Sequence, residues 1–420
     1  MFGDMDFAIP EEIESRIAAL DEFIDSEVRP LEEEDDNVRF FDHRREFART
    51  DLERDGIPSR EWEELLGEVR SRADAAGFWR FALPAELGGS DGSNLEVAIL
   101  REHLAHRGLG LHNDLQNEFS VIANLMVVEL VQAFGTPEQR EEMLEPMIVG
   151  SYRVAFGLTE PNHGSDAAHM ETTARRDGGD WVLDGAKRFN SWMHSATHDL
   201  VFARTSGEPG EGKGITAFIV PTGTPGLEVD HFWWTFNMPT DHAEVSIEGV
   251  RVPGDAVLGE VGEGLAVAQR FVHSSRIRQA AASVGAAQYC IDEAVAYANE
   301  RHTWGRPLSV NQGIQFPLTE LHTDAELLRG LVRRTAWELD RHNQLEVTQM
   351  ISMANFRANR LACEAADRAM QVHGGLGYTR HLPFEHIYRH HRRYRITEGA
   401  EEVQMRKVAA ELFGFGRSGR

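Results

Sequence analysis

Four stretches of this chain carry residue types that could do chemistry. In Arg395-Ile-Thr-Glu398-Gly-Ala-Glu-Glu402 a carboxylate sits beside an apolar residue and before a glycine, at the start of the last helical segment. Glu398 is either a general base in a partly desolvated setting or an acid stabilising a helix N-terminus. Phe156-Gly-Leu-Thr-Glu-Pro-Asn-His-Gly-Ser-Asp166 leaves an apolar run and offers backbone N–H groups, the Thr159 and Ser165 hydroxyls, and Gly164 for close approach. It edges a polar ring, cradles a phosphate, or simply turns a β-corner. Arg301-His-Thr-Trp-Gly-Arg306, with Gln312 beyond it, sets a guanidinium and an amide at a helix junction. They suit a pyrophosphate or a helix C-terminus equally. Gln371-Val-His-Gly-Gly-Leu-Gly-Tyr378 is a glycine-rich helix end where backbone can pass near a ligand.

Other apparent motifs fail on their own chemistry. Gly207 to Lys213 has the spacing of a P-loop, but Gly214 stands where Ser or Thr must hold magnesium, and no helix follows. Gly375-Leu-Gly377 lacks the third glycine of a dinucleotide fingerprint, because position 380 is arginine, so no nicotinamide site is indicated. His194/His198 and His386/His390 have i, i+4 spacing without the glutamate of a zincin, and no metal is expected.

Three regimes must position these stretches. Residues 1–151 read as helical: Ile13, Ile17, Leu20, Phe23 and Ile24 form one apolar face, and Trp62, Leu65, Leu66 and Val69 another. Thr136-Pro137-Glu138-Gln139 reads as an N-cap followed by proline at the first helical position. Residues 37–60 follow no period. From 152 to 263 the period falls to two, with Ala243, Val245 and Ile247 alternating with polar residues, which predicts an antiparallel β domain with a loop at 206–214. From 264 to 420 long Ala-rich segments, around 264–300, 310–342 and 345–372, predict a helical bundle.

The balance of the chain bounds its partners. Its 420 residues carry 43 Lys and Arg against 68 Asp and Glu, a formal charge of −25, which opposes nucleic acid and anionic membrane surfaces. Residues 1–36 hold fourteen acids and two arginines, and their Glu32–Asp36 run reads as a solvated helix end or loop. No apolar run is long enough to span a bilayer. The N-terminus lacks the basic and apolar regions of a secretory signal, and two cysteines fit a reducing cytoplasm.

Together the four stretches, with Lys187–Trp192 (KRFNSW) and residues 247–264 (IEGVRVPGDAVLGEVGEG), resemble the acyl-CoA dehydrogenases over nearly the whole chain. The resemblance implies a mainly α fold with a central β-barrel-like domain and a C-terminal four-helix bundle. It implies FAD, an acyl-CoA substrate, electron-transfer flavoprotein as acceptor, and a homodimer or dimer of dimers with each FAD spanning two subunits. Phe156, Leu158, Thr159, Gly164 and Ser165 would then meet the flavin, and Phe189 and Ser191 would flank its ring. Arg301, Thr303 and Gln312, with Gln371, Gly374 and Gly375, would grip a neighbour's FAD, and Ala400 and Glu402 would lie on the last flavin-contacting turn. Ser165, His273, Arg276, Thr397 and Gly399 would face the substrate. Glu398 would be the catalytic base, since its alternative place in the family is Ser275, which cannot act as one. Its 27-residue interval from Gln371 matches that between the corresponding family motifs.

Some positions depart from the family pattern: Phe189 for Trp, Ala400 for Thr or Ser, His273 for Asp, and Thr397 for Tyr. Two other functions share the resemblance. One is a flavin oxidase or monooxygenase on the same fold. The other is an alkylation-response relative that contacts DNA, which the charge of −25 opposes although residues 374–420 hold nine Arg and Lys against five acids.

Overall fold

The structure is a computed structural model that describes residues 8–113 and 120–415. The first seven residues, which begin the acidic segment, lie outside the described residues.

The N-terminal helices are α1 (Glu11–Phe23), α2 (Arg29–Glu33), α3 (Arg60–Ala75), α4 (Asn94–His106), α5 (Met126–Phe134) and α6 (Pro137–Val149). Their starts follow local chemistry. Ser59 accepts from Trp62 N at the head of α3, and Ser93 with Glu96, then Thr136 with Gln139, form complete capping boxes. The apolar stripes predicted for α1 and α3 meet in one core, where Phe40 and Trp62 rings lie 5.2 Å apart. Glu32 corrects the reading of its acidic run: four of the five acids are exposed, but Glu32 turns inward and accepts from Leu111 N at 2.7 Å.

Residues 37–60, which have no period, form a strap. It holds the two-residue strands β1 (Thr50–Asp51) and β2 (Ile57–Pro58) and crosses to the central sheet. There Asp55 Oδ2 accepts from Phe232 N at 2.6 Å, and Gly56 O accepts from Thr240 N at 2.9 Å. Gly56 has φ +81°, and a Cβ on it would lie 2.6 Å from Met238, so this crossing needs glycine.

The central sheet comprises β3 (Val154–Gly157), β4 (Thr173–Asp177), β5 (Asp180–Asn190), β6 (His198–Arg204), β7 (Ile215–Pro221), β8 (Leu227–Phe232), β9 (Ala243–Val252) and β10 (Val257–Leu258). Its order is β10-β7-β6-β4-β5-β9-β8, with β3 beside β6. The expectation of a wholly antiparallel sheet is corrected here. β3 runs parallel to β6, with Phe156 opposite Leu200, and β4 touches β6 in the same sense. Alternation of side chains reports which face is buried, not strand direction. β3 enters straight from the N-terminal helices, and the long loop that follows it frees it from hairpin geometry. β6 separates two cores. Leu200 and Phe202 pack with helical residues such as Val131, Met143 and Val267, while Val201 and Ala203 pack with Phe218 and Val245.

The C-terminal helices are α7 (Gly264–Glu300), α8 (Gln312–Leu339), α9 (Gln344–His373), α10 (Phe384–Tyr394) and α11 (Glu401–Phe413). The small hairpin of β11 (His302–Thr303) and β12 (Arg306–Pro307) joins α7 to α8. Helix α7 is the axis of the molecule. Every residue from His273 to Gln288 is buried, because α4, α8 and α9 surround it. Gly285 permits the tightest of these crossings, since a Cβ there would fall 2.1 Å from the carbonyl oxygen of Glu102.

Candidate active site

The loop leaving β3 is shaped around one buried carboxylate. Glu160, 3% exposed, accepts from Lys187 Nζ at 2.7 Å and from the backbone N of Thr172 at 2.9 Å and Glu171 at 2.5 Å. Burial pushes the Glu160 pKa upward, but the Lys187 charge and these donors together hold it below the usual carboxylate value. Thr159 O accepts from Arg188 N, tying the loop to β5. Phe156, Leu158 and Thr159 are thereby held half-buried at the strand end, with Gly164 and Ser165 exposed beyond them. The Phe156 ring stacks on Phe271 of α7 at 4.0 Å and 14°.

β5 ends beside this loop in strained backbone. Phe189 has φ +62° and Trp192 φ +71°, conformations that cost non-glycine residues energy and gather at functional sites. Phe189 is 47% exposed, 5.8 Å from the Trp233 ring, and Ser191 Oγ lies 3.4 Å from His242 Nε2.

The third element is the turn before α11. Glu398 has φ +48° and Gly399 φ +86°. Its carbonyl oxygen accepts from Arg276 Nε at 2.9 Å and also from Nη2, and a Cβ at Gly399 would fall 2.7 Å from that Nη2. Arg276 therefore anchors the turn that carries Glu398, and Gly399 is required both by φ and by the arginine. Burial pulls the Arg276 pKa down to about 10, which leaves it charged at neutral pH. The Glu398 carboxylate accepts from Gln279 Nε2 at 2.7 Å. The Glu398 N–H has no protein partner among the described residues. Ile396, expected to cover the carboxylate, is instead 60% exposed. Phe271 precedes Arg276 by five residues, about 7–8 Å along the helix. The end of β3 and the Glu398 turn therefore meet α7 within about two turns of each other, and the end of β5 lies beside the β3 loop.

His273 and Thr397 stand in this region with unmatched polar atoms: His273 Nδ1 and Thr397 Oγ1 are buried and without a hydrogen bond. Burial, with Arg276 and Lys407 nearby, pulls His273 down to a pKa of about 4, so the ring is neutral where an aspartate would be charged. Glu402 is exposed. Its neighbour Glu401, which sequence reasoning missed, is clamped by Arg360 and Arg395 at 2.9–3.1 Å, and these bonds push its pKa down to about 2. Ala400 is the N-cap of α11 and offers no side-chain acceptor. Ala400→Ser should supply one and raise the thermal midpoint, a gain of about 0.5–1 kcal/mol; an unchanged midpoint would show that the cap is already satisfied.

A second group lies at the far end of α7. Arg301, 25 residues beyond Arg276, stands about 37 Å along the helix, farther than an extended FAD reaches. The stacked rings of Tyr297 and His373, 4.2 Å apart, bring the ends of α7 and α9 together, which places Arg301 and Thr303 at the same end of the bundle as Gln371, Gly374 and Gly375. Arg301, Gln312, Gln371 and both glycines are exposed, and the space beside each glycine is open. The Arg301 guanidinium makes no hydrogen bond or ion pair among the described residues, so it does not cap α7. No group of three or more His, Cys, Asp or Glu able to hold a metal occurs among the described residues.

The chain matches the acyl-CoA dehydrogenase N-terminal domain over residues 34–151, the middle domain over 155–250 and the C-terminal domain over 262–413. It is 35% identical over 345 residues to the mitochondrial short-chain specific acyl-CoA dehydrogenase of Bos taurus, covering 81% of each chain. It is 32% identical over 372 residues to the caffeyl-CoA reductase–Etf complex subunit CarC of Acetobacterium woodii, covering 88% of this chain and 96% of that one. The solved butyryl-CoA dehydrogenase of Megasphaera elsdenii superposes with a TM-score of 0.78 at 28% identity, covering 97% of this chain and all of that one. The chain belongs to the acyl-CoA dehydrogenase family. It is a flavoprotein oxidoreductase acting on CH–CH bonds, and its cofactor is FAD. The residues present fit that cofactor: a free guanidinium and open glycine backbone suit a pyrophosphate, and the β3 and β5 ends offer half-buried backbone to a ring.

Proposed function

We propose that the protein removes the α-proton and β-hydride of an acyl-CoA thioester to give the trans-2-enoyl-CoA, and that the electrons pass to an electron-transfer flavoprotein. One observation carries the reading: a glutamate on a left-handed turn, its backbone anchored by a buried arginine of α7 and its carboxylate held by Gln279. Glu398 takes the α-proton on its carboxylate. The Glu398 N–H, which has no protein partner among the described residues, donates to the thioester oxygen and steadies the charge that develops as the proton leaves. Bound FAD supplies the acceptor for the β-hydride. Neutral His273 and Thr397 present uncharged polar atoms to the substrate, with Ser165 and Gly399 at its edge. The relative named as part of an Etf complex supports the electron partner. A cytoplasmic setting is supported by Cys290 and Cys363, both buried free thiols. Turnover tests the reading: acyl-CoA should drive reduction of added electron-transfer flavoprotein with enoyl-CoA as product. Steady oxygen consumption in its place would mark an oxidase.

We also infer that the protein works as a homo-oligomer, a dimer or dimer of dimers, with FAD shared between subunits. The separation along α7 is the support, because Arg301 and Gln312 cannot serve the FAD beside their own Glu398. Arg301→Ala removes a charge-assisted contact worth about 1.5–3 kcal/mol. The purified variant should lose flavin on dilution and shift toward smaller species on a sizing column. Full flavin content with unchanged elution would refute the shared site.

A further inference from the structure

The hydrogen bond that Glu398 accepts is the outer end of a series of buried side chains crossing the bundle. Gln279 and Ser283 lie one turn apart on α7, Asn355 and Asn359 one turn apart on α9, and His391 lies on α10. Gln279 is 6% exposed and the other four not at all. Two backbone carbonyls decide how the amides point. Asn355 Nδ2 donates to the carbonyl oxygen of Arg276 at 2.8 Å, and Asn359 Nδ2 to that of Tyr394 at 3.0 Å. A carbonyl oxygen only accepts, so both NH2 groups are fixed in place. Asn359 Nδ2 then also donates to Asn355 Oδ1 at 3.1 Å, and Asn355 Nδ2 to Gln279 Oε1 at 3.3 Å. With its oxygen engaged, Gln279 presents Nε2 outward, to Glu398 Oε2 at 2.7 Å and Ser275 Oγ at 3.1 Å.

The inner end agrees. Ser283 Oγ donates its single proton to Asn359 Oδ1 at 2.7 Å, so His391 Nδ1, 3.0 Å away, donates to Ser283. Every bond from His391 outward therefore donates toward Glu398. Aligned hydrogen bonds in a dry interior polarise one another, whereas a half-satisfied buried network is costly. Glu398 Oε2 is held by this series, while Oε1 accepts no hydrogen bond among the described residues.

We propose that Gln279 is a positioning residue for the reaction. The directed series of Asn355, Asn359, Ser283 and His391 holds its amide in the one orientation that donates to the base. Gln279 fixes the carboxylate rotamer and leaves Oε1 to take the proton. The inference rests on the reading of Glu398 as base, and the test separates the two.

An acyl-CoA with sulfur in place of Cβ has an α-proton to lose but no β-hydride to give. Exchange of its α-hydrogens with D2O on the FAD-loaded enzyme, followed by NMR, reports the base alone. In Gln279→Met the exchange rate should fall on the order of tenfold or more, the size of a lost hydrogen bond to a charged group. FAD content and affinity for the analogue should stay within about twofold, a split that general loosening of the site would not give. Ser283→Ala, a small change well away from the substrate, should slow exchange in the same direction by a smaller factor, and decides the matter if Gln279→Met does not fold. Parental exchange in Gln279→Met, or in Ser283→Ala where only that variant folds, overturns the proposal. If Glu398→Gln also exchanges at the parental rate, the fault lies with the base assignment. If Glu398→Gln is silent, only the role of Gln279 is lost.

Discussion

Glu398→Gln should bind FAD, still perturb the flavin spectrum with acyl-CoA, and yet be reduced by substrate at least ~10³-fold more slowly than the parent. The amide keeps the shape of the side chain and its backbone anchor on Arg276, and removes only the basicity. Among the described residues no second carboxylate is hydrogen-bonded at this turn to replace it. The family's alternative position is Ser275, which is buried and hydrogen-bonded to Gln279. The factor exceeds the low end of usual acid–base contributions because Glu398 is the one carboxylate assigned to take the α-proton. Stopped-flow reduction at a near-parental rate would place proton abstraction elsewhere and reopen the oxidase reading.

Lys187→Met should be the most damaging change outside the base. The ammonium is fully buried against Glu160, and burial alone pulls its pKa down, so the pair persists through geometry and through the two backbone donors to Glu160. Removing one partner of such a pair costs about 3–5 kcal/mol, because the carboxylate is left buried without its counter-charge. Glu160 shapes the loop that carries Leu158, Thr159 and Ser165, so flavin loss should accompany the fall in the urea midpoint. Lys187→Met with Glu160→Gln should recover much of that stability. A double variant no more stable than the single one would show that the lysine acts through packing and not through charge.

The start of α6 and the three long C-terminal helices were legible because their signals are local. Thr136 and Gln139 cap α6 through atoms three residues apart, and the long helices around Leu265, Leu318 and Ile351 follow their own periodicity. The strap at 37–60 was not legible. Its order comes from Asp55 and Gly56 bonding to residues more than 170 positions away, and no periodicity records such contacts. The parallel placement of β3 escaped for the same reason. At the site, the glutamate in Ile-Thr-Glu-Gly stood out as a carboxylate next to glycine. Glu402 was named from the resemblance and Glu401 was passed over, because the clamp on Glu401 includes Arg360, 41 positions away on another helix. Gln279, Ser283, Asn355 and Asn359 did leave a trace: polar residues at i, i+4 on otherwise small, apolar helical faces. That pattern marks a buried network only once the helices are known to be enclosed on every side.

Anaerobic mixing of the FAD-loaded protein with a panel of saturated acyl-CoAs tests the account most directly. Visible flavin absorbance should bleach with at least one chain length, and the bound product should be the trans-2-enoyl-CoA. Flavin that stays oxidised with every saturated acyl-CoA, in protein that retains full FAD, would contradict it.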